Sequence, residues 1–261
     1  MSLLAAAGES YEAPTVADFW QPLFGTGAYA VTRPALVLLL SALAIGLVLM
    51  QATRRLAMVP GRGQQVTESL YGLVRNSVAR DVIGSRDFLK FVPMLFTFFV
   101  LVLVNNLFGV MPFIQYPSFA RVALPVALTL FIFVLYVYLG MRRQGVVGYF
   151  KHLVPSGLPG WLVPLIFFLE VLTYFFTRPV TLALRLFGNM FAGHLLILLF
   201  VTGAEFLLFE TDGFGLKIAG GFSFVMAFVM TIFELLVQFL QAYIFTLLSA
   251  LYIADALVDE H

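Results

Sequence analysis

The chain of 261 residues has no cysteine, so disulfides and thiolate metal sites are excluded. Charge is scarce: 11% of residues are Asp, Glu, Lys or Arg, against about 25% in a soluble domain. The net charge is +1, which gives no electrostatic footprint for nucleic acid. The three histidines, His152, His194 and His261, are too far apart for metal-ligand spacing, so no metal or other cofactor is expected. The N-terminus, MSLLAAAGESYEAP, lacks a basic n-region and an Arg-rich amphipathic pattern, so a cleaved presequence is not expected. What the chain has in abundance is apolar surface: 61% hydrophobic residues and a mean hydropathy of +0.99. Its apolar runs are long enough to read as an all-α polytopic membrane protein, a single membrane domain of about five membrane helices plus one interfacial helix.

Residues 1–33 form a mixed segment with turn signals at Pro14, Pro22, Gly25 and Gly27. Residues 34–53 are a first span ending at Arg54 and Arg55. The 54–90 segment is the most polar; within it residues 66–82 place Leu70, Leu73, Val74 and Val78 at helical spacing, which predicts an interfacial amphipathic helix. Residues 91–111 and 122–141 predict a helical hairpin (91–141) whose proline-containing turn carries Arg121. Residues 142–161, with Arg142, Arg143 and Lys151, predict a connector. Two apolar runs remain, 164–202 and 216–254, each about 58 Å if helical and nearly twice a bilayer core of about 30 Å. A break at Arg178–Pro179 would leave too few residues before it to cross, and the second run has no proline or glycine after Gly221. Both are therefore expected to be long helices lying strongly tilted. Ten of the Lys and Arg residues fall in 54–90 and 142–152, and three in the N-terminal segment, the hairpin turn and the 203–217 loop. The positive-inside rule then puts the N-terminus outside and the C-terminus in the cytoplasm.

Apart from Lys217 at the start of the second, the long runs hold few charges: Glu170, Arg178, Arg185 and Glu234, with His194 as a titratable neighbour. A charge at a helix centre costs about 2.5–3.5 kcal/mol on insertion scales. Arginine cannot shed its charge in a protein. Arg185 is therefore either bridged to Glu170 or Glu234, or a fixed cation facing an ion pathway. Asn189 is about 40° around the helix from it, and His194 about 180°, facing the last helix. On the last helix Ser223, Thr231, Glu234, Gln238, Gln241, Ser249 and Tyr252 all fall within about 60° of Glu234. Such a stripe needs polar company, water or interhelical partners. Glu and His beside each other suit a proton relay, since both can titrate near physiological pH when perturbed. Arg178 is expected to snorkel. Asn105 and Asn106 read equally as packing glue or pathway lining. His152 and His261 read as solvated. Glu205, Glu210 and Asp212 read as an exposed acidic loop.

The strings PVTLALRLFGNMFAGH (179–194), FELLVQFLQAYIFTLLSALYIADAL (233–257) and NNLFGVMP (105–112) resemble subunit a of the F-type ATP synthase membrane sector, bacterial type, over roughly residues 91–257. The resemblance implies a non-catalytic stator subunit whose two tilted helices cup a ring of c-subunits. It also implies peripheral-stalk b-type subunits and the whole F1Fo complex as partners, in the bacterial plasma membrane and its lipid bilayer. Two offset proton half-channels would reach the ring, and Arg185 would meet each ring carboxylate and block direct leakage. Asn189 and Gln241 match its polar neighbours. His194 and Glu234 match the acid and imidazole of the outer half-channel, in exchanged positions relative to many bacterial members. Glu170 resembles the inner half-channel acid, although its spacing to Pro179 is one residue longer than the family pattern. Gln238, Ser249, Asn105 and Asn106 are candidates for channel lining. A secondary transporter or channel clamping substrate on Arg185 is the competing reading; such folds show inverted repeats and broken helices, which this sequence lacks. A non-pumping membrane anchor would need no titratable pair with an arginine.

Overall fold

The structure is a computed structural model that describes residues 22–24, 31–54, 61–84, 87–111, 119, 122–154 and 159–257. The first 21 residues, Arg55, Arg121 and His261 lie outside the described residues, as do the side chains of Arg54, Lys151 and His152. A short antiparallel ribbon pairs β1 (Pro22–Phe24) with β2 (Val31–Thr32). The ribbon leads into α1 (Arg33–Arg54), whose apolar stretch is Leu36–Gln51.

Helix α2 begins as Arg62–Gly72, passes through a π-helical stretch, Leu73–Arg80, and ends with Asp81–Ile83. Its amphipathic pattern is realised in packing. Val74, Val78 and Ala79 are fully buried, while Arg75, Asn76, Ser77 and Arg80 are exposed. The buried side rests on α3 (Phe88–Val110), where the Tyr71 ring meets Phe96 edge-on at 5.4 Å.

Helix α4 (Ala123–His152) runs past the boundary expected at residue 141. Arg142 and Arg143 read as connector because they are charged, but a charge at a helix end needs only water or a counterion. Arg143 has one in Asp87, which also pairs with Lys90, at 3.4 and 2.7 Å. Lys90 first, then Arg143, hold the Asp87 carboxyl below the ordinary carboxylate range. The helical run is interrupted at Gly145 (φ 74°, ψ 163°), a left-handed φ that suits glycine. Beyond this kink the Tyr149 ring lies on Gly140, where a β-carbon would overlap it.

Helix α5 spans Val163–Glu210, 48 residues or about 72 Å. Pro179 does not break it. Proline lacks an N–H and crowds the carbonyl four residues back. The chain accommodates this with a π-helical turn, Thr173–Thr177, in which the Arg178 N–H donates to the Thr173 carbonyl. In that register the Tyr174 carbonyl faces Pro179, which cannot donate. The Tyr136 hydroxyl from α4 donates to it instead, at 2.7 Å. A second π-helical turn, Phe206–Glu210, ends α5. Only residues 211–213 then separate it from α6 (Phe214–Leu257), 44 residues or about 66 Å. The loop expected over 203–217 is thus mostly helical. Glu205, Glu210 and Asp212 are exposed there.

Among the described residues four helices, α3 to α6, are long and apolar enough to cross a membrane. The chain is an all-α polytopic membrane protein whose last two helices are far longer than one crossing requires. These two run antiparallel, with Gly220 of α6 packed on Leu207 and Leu208 of α5. Helix α3 packs on α6 through Phe99–Phe239 and Phe98–Phe245 edge contacts at 6.2 and 6.4 Å. Helix α1 joins α3 through Ser41, whose hydroxyl donates to Asn105 Oδ1 at 3.0 Å. The remaining faces of α5 and α6 expose Phe168, Phe176, Leu184, Phe224, Phe228, Ile232 and Leu236, a surface made for lipid or for another apolar protein.

Candidate functional site

The polar stripe of α6 is its buried face. Glu234, Gln238, Gln241 and Ser249 are 6%, 1%, 5% and 0% exposed, whereas Leu235, Leu236 and Leu240 between them are exposed. Ser249 satisfies itself locally by donating to the Phe245 carbonyl at 2.7 Å. Glu234 and Gln238 are held from one turn away and from outside the helix. Gln238 Nε2 donates to Glu234 Oε1 in a short contact. Asn106 of α3 donates through Nδ2 to the Gln238 carbonyl at 3.2 Å. Asn105 turns the opposite way: it donates to its own helix at Leu101 and accepts from Ser41 of α1. The two adjacent asparagines therefore separate, Asn105 as packing glue and Asn106 toward the Glu234–Gln238 file. Four amide atoms of this region are buried with no hydrogen-bond partner: Asn106 Oδ1, Asn189 Nδ2, Gln238 Oε1 and Gln241 Nε2.

The Glu234 carboxylate reaches α5 at Gly193, against which it packs so closely that a β-carbon there would overlap it. The next residue, His194, is half-buried. Its Nδ1 lies 3.2 Å from the Gly109 carbonyl in the last turn of α3. A carbonyl only accepts, so Nδ1 carries the proton, and in the neutral ring Nε2 is left as the acceptor. That contact also satisfies one of the last carbonyls of α3, which have no partner within the helix. Glu234, from α6, thus meets α5 at the residue before His194, whose ring is turned to α3.

Arg185 differs from all of these in being exposed. It belongs to α5, about 12 Å along the axis from Gly193. Among the described residues it has no ion pair, and neither Glu170 nor Glu234 bridges to it. Asn189, one turn on, is half-buried. Glu170 is also half-buried, about 22 Å along α5 from Arg185, and the structure does not bring the two together.

Arg178 does not snorkel. Its Nη1 pairs with Asp255 of α6 at 2.7 Å, and its guanidinium lies 3.5 Å from the Tyr174 ring centre and 5.2 Å from that of Tyr252. The Tyr174 hydroxyl donates to the same Asp255 oxygen. Sequence reasoning did not single out Asp255, yet a signal was available: it is about 60° from Glu234 on the wheel, at the edge of the same stripe. Gly193 gave no such signal, because its role depends on what α6 brings to it.

The family model described as ATP synthase A chain matches residues 35–254. Among curated relatives, ATP synthase subunit a of Nocardioides sp. is 43% identical, with 98% of this chain and 96% of the relative covered. That of Pseudarthrobacter chlorophenolicus is 39% identical over 90% and 88%. That of Streptomyces lividans is 37% identical over 97% and 90%. An over-long antiparallel helix pair, a buried polar stripe and these matches along nearly the whole chain lead to one conclusion: the chain belongs to the ATP synthase A chain family, as a subunit a of the membrane sector of bacterial F-type ATP synthases.

Proposed function

We propose that this subunit is the stator that couples proton flow to rotation, with Arg185 facing a ring of c-subunits and the Glu234–His194 region lining the outer proton half-channel. The observation that carries the reading is the contrast between Arg185 and the stripe behind it. A permanent cation is exposed in the middle of an apolar helix, while an acid and its amide neighbours are buried. An exposed arginine at membrane depth is expensive in lipid. A ring carboxylate sliding past would compensate it, and the broad apolar faces of α5 and α6 suit contact with that ring. The buried amide atoms without partners are costly in hydrocarbon unless hydrated. A hydrated file is what proton conduction to the ring requires.

In this reading a proton enters from the outer side and passes by way of His194 and Glu234 to a ring carboxylate. The neutralised carboxylate then travels through lipid. After the circuit the carboxylic acid releases its proton into the inner half-channel, and Arg185 pairs with the ionised form and closes the direct route between the half-channels. Glu170, on the far side of Arg185 from Glu234, is the candidate acid of the inner half-channel, with Asn189 and Gln241 flanking Arg185. Peripheral-stalk b-type subunits would hold the stator. The Lys and Arg distribution supports an orientation with α2 and the end of α4 in the cytoplasm and the α5–α6 turn outside.

The test is Arg185→Lys, alongside Arg185→Ala, in inverted vesicles with pumping followed by a pH-sensitive dye. Both are expected to abolish ATP-driven pumping, because an ammonium can lose its proton in a dry site and a guanidinium cannot. Near wild-type pumping by Arg185→Lys, with the c-ring co-purifying, would overturn the fixed-cation role.

A further inference from the structure

The Arg178–Asp255 cluster is left unused by the proton path, yet it joins three helices. Five residues from three helices build it. Arg178 and Tyr174 come from α5, Asp255 and Tyr252 from α6, and Tyr136 from α4, through its hydrogen bond to the Tyr174 carbonyl and its ring 5.7 Å from Tyr252. A carboxylate in the last turn of α6 opposes the helix dipole, so Asp255 needs a cation there. Arg178 supplies it in the geometry arginine favours, paired at one end and stacked on aromatic faces. The π-helical turn forced by Pro179 is where this happens.

The place of the node along the helix pair gives it a consequence. The α5–α6 contact carries a directional side-chain tie near each end. At the end near the turn, Ser223 donates to the Phe200 carbonyl at 2.9 Å; at the other lies Arg178–Asp255. Arg185 falls in the interval between them. Much of α5 there is thinly packed: Leu182, Ala183, Leu186 and Met190 are its buried residues between Arg178 and Gly193. Apolar packing alone resists sliding weakly, since a helix can shift along its neighbour without losing much contact area. Arg178 and Arg185 are seven residues apart, about 10 Å along the axis and about 20° around it, so they share a face.

We infer that Arg178 and Asp255, joined through Tyr174, form a positioning clamp that sets the axial register of α5 against α6 and thereby the height at which Arg185 meets the ring. The inference rests on the proposed role of Arg185. A positioning error of about 1 Å at a reacting group can cost up to about 100-fold. Loss of the clamp therefore degrades coupling without touching Arg185 itself. It also raises passive proton leak, because a displaced guanidinium no longer closes the route between the half-channels.

The experiment uses whole complexes in inverted vesicles, with pumping and, after removal of the peripheral ATPase sector, passive leak, each normalised to the amount of subunit a assembled. Arg178→Gln and Asp255→Asn are expected to lower pumping per complex about tenfold and raise leak. The charge-reversed double variant Arg178→Asp with Asp255→Arg is expected to recover most of the pumping and to lower the leak. Arg178→Lys, which keeps the ion pair but loses the stacked fork, is expected to fall between. Pumping and leak per complex unchanged in the single variants, or a double variant no better than either, would overturn the clamp. If Arg178→Gln does not assemble, Tyr174→Phe and Arg178→Lys carry the test, and wild-type leak and pumping in both would overturn it. Arg185→Ala is run in parallel. If it pumps normally, the role of Arg185 fails; if it is inactive while the clamp variants behave as wild type, only the clamp fails.

Discussion

The Glu234 carboxylate lies against Gly193 of the neighbouring helix, in the space where a side chain at residue 193 would begin. Only the absence of a β-carbon lets the acid approach the backbone of α5 one residue from His194. Gly193→Ala is therefore expected to leave the helix intact, since alanine is the better helix former by about 1 kcal/mol, while displacing the carboxylate. Overpacking of this kind costs about 1–3 kcal/mol. Under the proposed role of Glu234, ATP-driven pumping should drop about tenfold. Shortening the acid in the double variant Gly193→Ala with Glu234→Asp should return part of it. Wild-type pumping by Gly193→Ala in assembled complexes would show that the close approach has no functional weight.

The existence and order of the membrane helices were legible in the sequence because hydropathy reports them directly. So was the buried face of α6, whose polar residues repeat at helical spacing. The ends of elements were less legible. Arg142 and Arg143 looked like connector, and Gly203 to Glu210 like loop, because charge and glycine are read locally whereas helix ends are fixed by neighbours. The α5–α6 contact at Gly220 is one such neighbour. Arg178 was misread for the same reason: its partner Asp255 lies 77 residues away, and only the antiparallel packing of α5 on α6 brings them together. Gly193 is the extreme case, a residue whose meaning is entirely in what touches it.

Asp87 offers a pH test at the membrane surface. Lys90 and Arg143 lower its folded pKa below the unfolded value of about 3.9. The tie between α3 and the end of α4 is then fully present above the unfolded pKa and is lost as pH falls through the lowered folded value. Unfolding of the detergent-solubilised protein should thus show a constant contribution from Asp87, with no pH dependence, between about pH 5 and 8. Below about pH 4 it should show a small acid destabilisation that Asp87→Asn abolishes. High salt should mask the difference, because the pair is at the surface. An unchanged acid response in Asp87→Asn would remove the tie from any account of stability.

Topology is testable directly because the chain has no native cysteine. Arg62 begins α2, and Asp212 lies in the α5–α6 turn; both are exposed. Under the proposed orientation, an impermeant thiol reagent reaches Asp212→Cys from the outer face of intact cells. It reaches Arg62→Cys only in inverted vesicles. Labelling of Arg62→Cys from outside would reverse the orientation and, with it, the assignment of inner and outer half-channels.

The pairing of His194 with Glu234 makes the sharpest demand on the proposed path. Glu234 meets α5 at the residue before His194, with Glu234 held by Gln238 and His194 donating to the Gly109 carbonyl. With Nδ1 committed to that carbonyl, Nε2 is the position that can take a proton, and the proposed path needs it to exchange that proton with the Glu234 carboxylate directly or through one water. Glu234→Ala should therefore slow pumping strongly, and His194→Ala less, because water can replace an imidazole in a hydrated passage. His194→Glu alone sets two carboxylates together and also loses the donor to Gly109, so it should be severely impaired. The double exchange His194→Glu with Glu234→His restores one acid and one imidazole. If the two work as a pair, it should pump better than His194→Glu alone, measured with a pH-sensitive dye in inverted vesicles of equal subunit content. The exchange need not reach wild type, since glutamate at residue 194 cannot make the Gly109 bond unless it is protonated. A double exchange no better than the single variant, with assembly intact, would mean that Glu234 and His194 act separately, and that the buried file ends at Glu234.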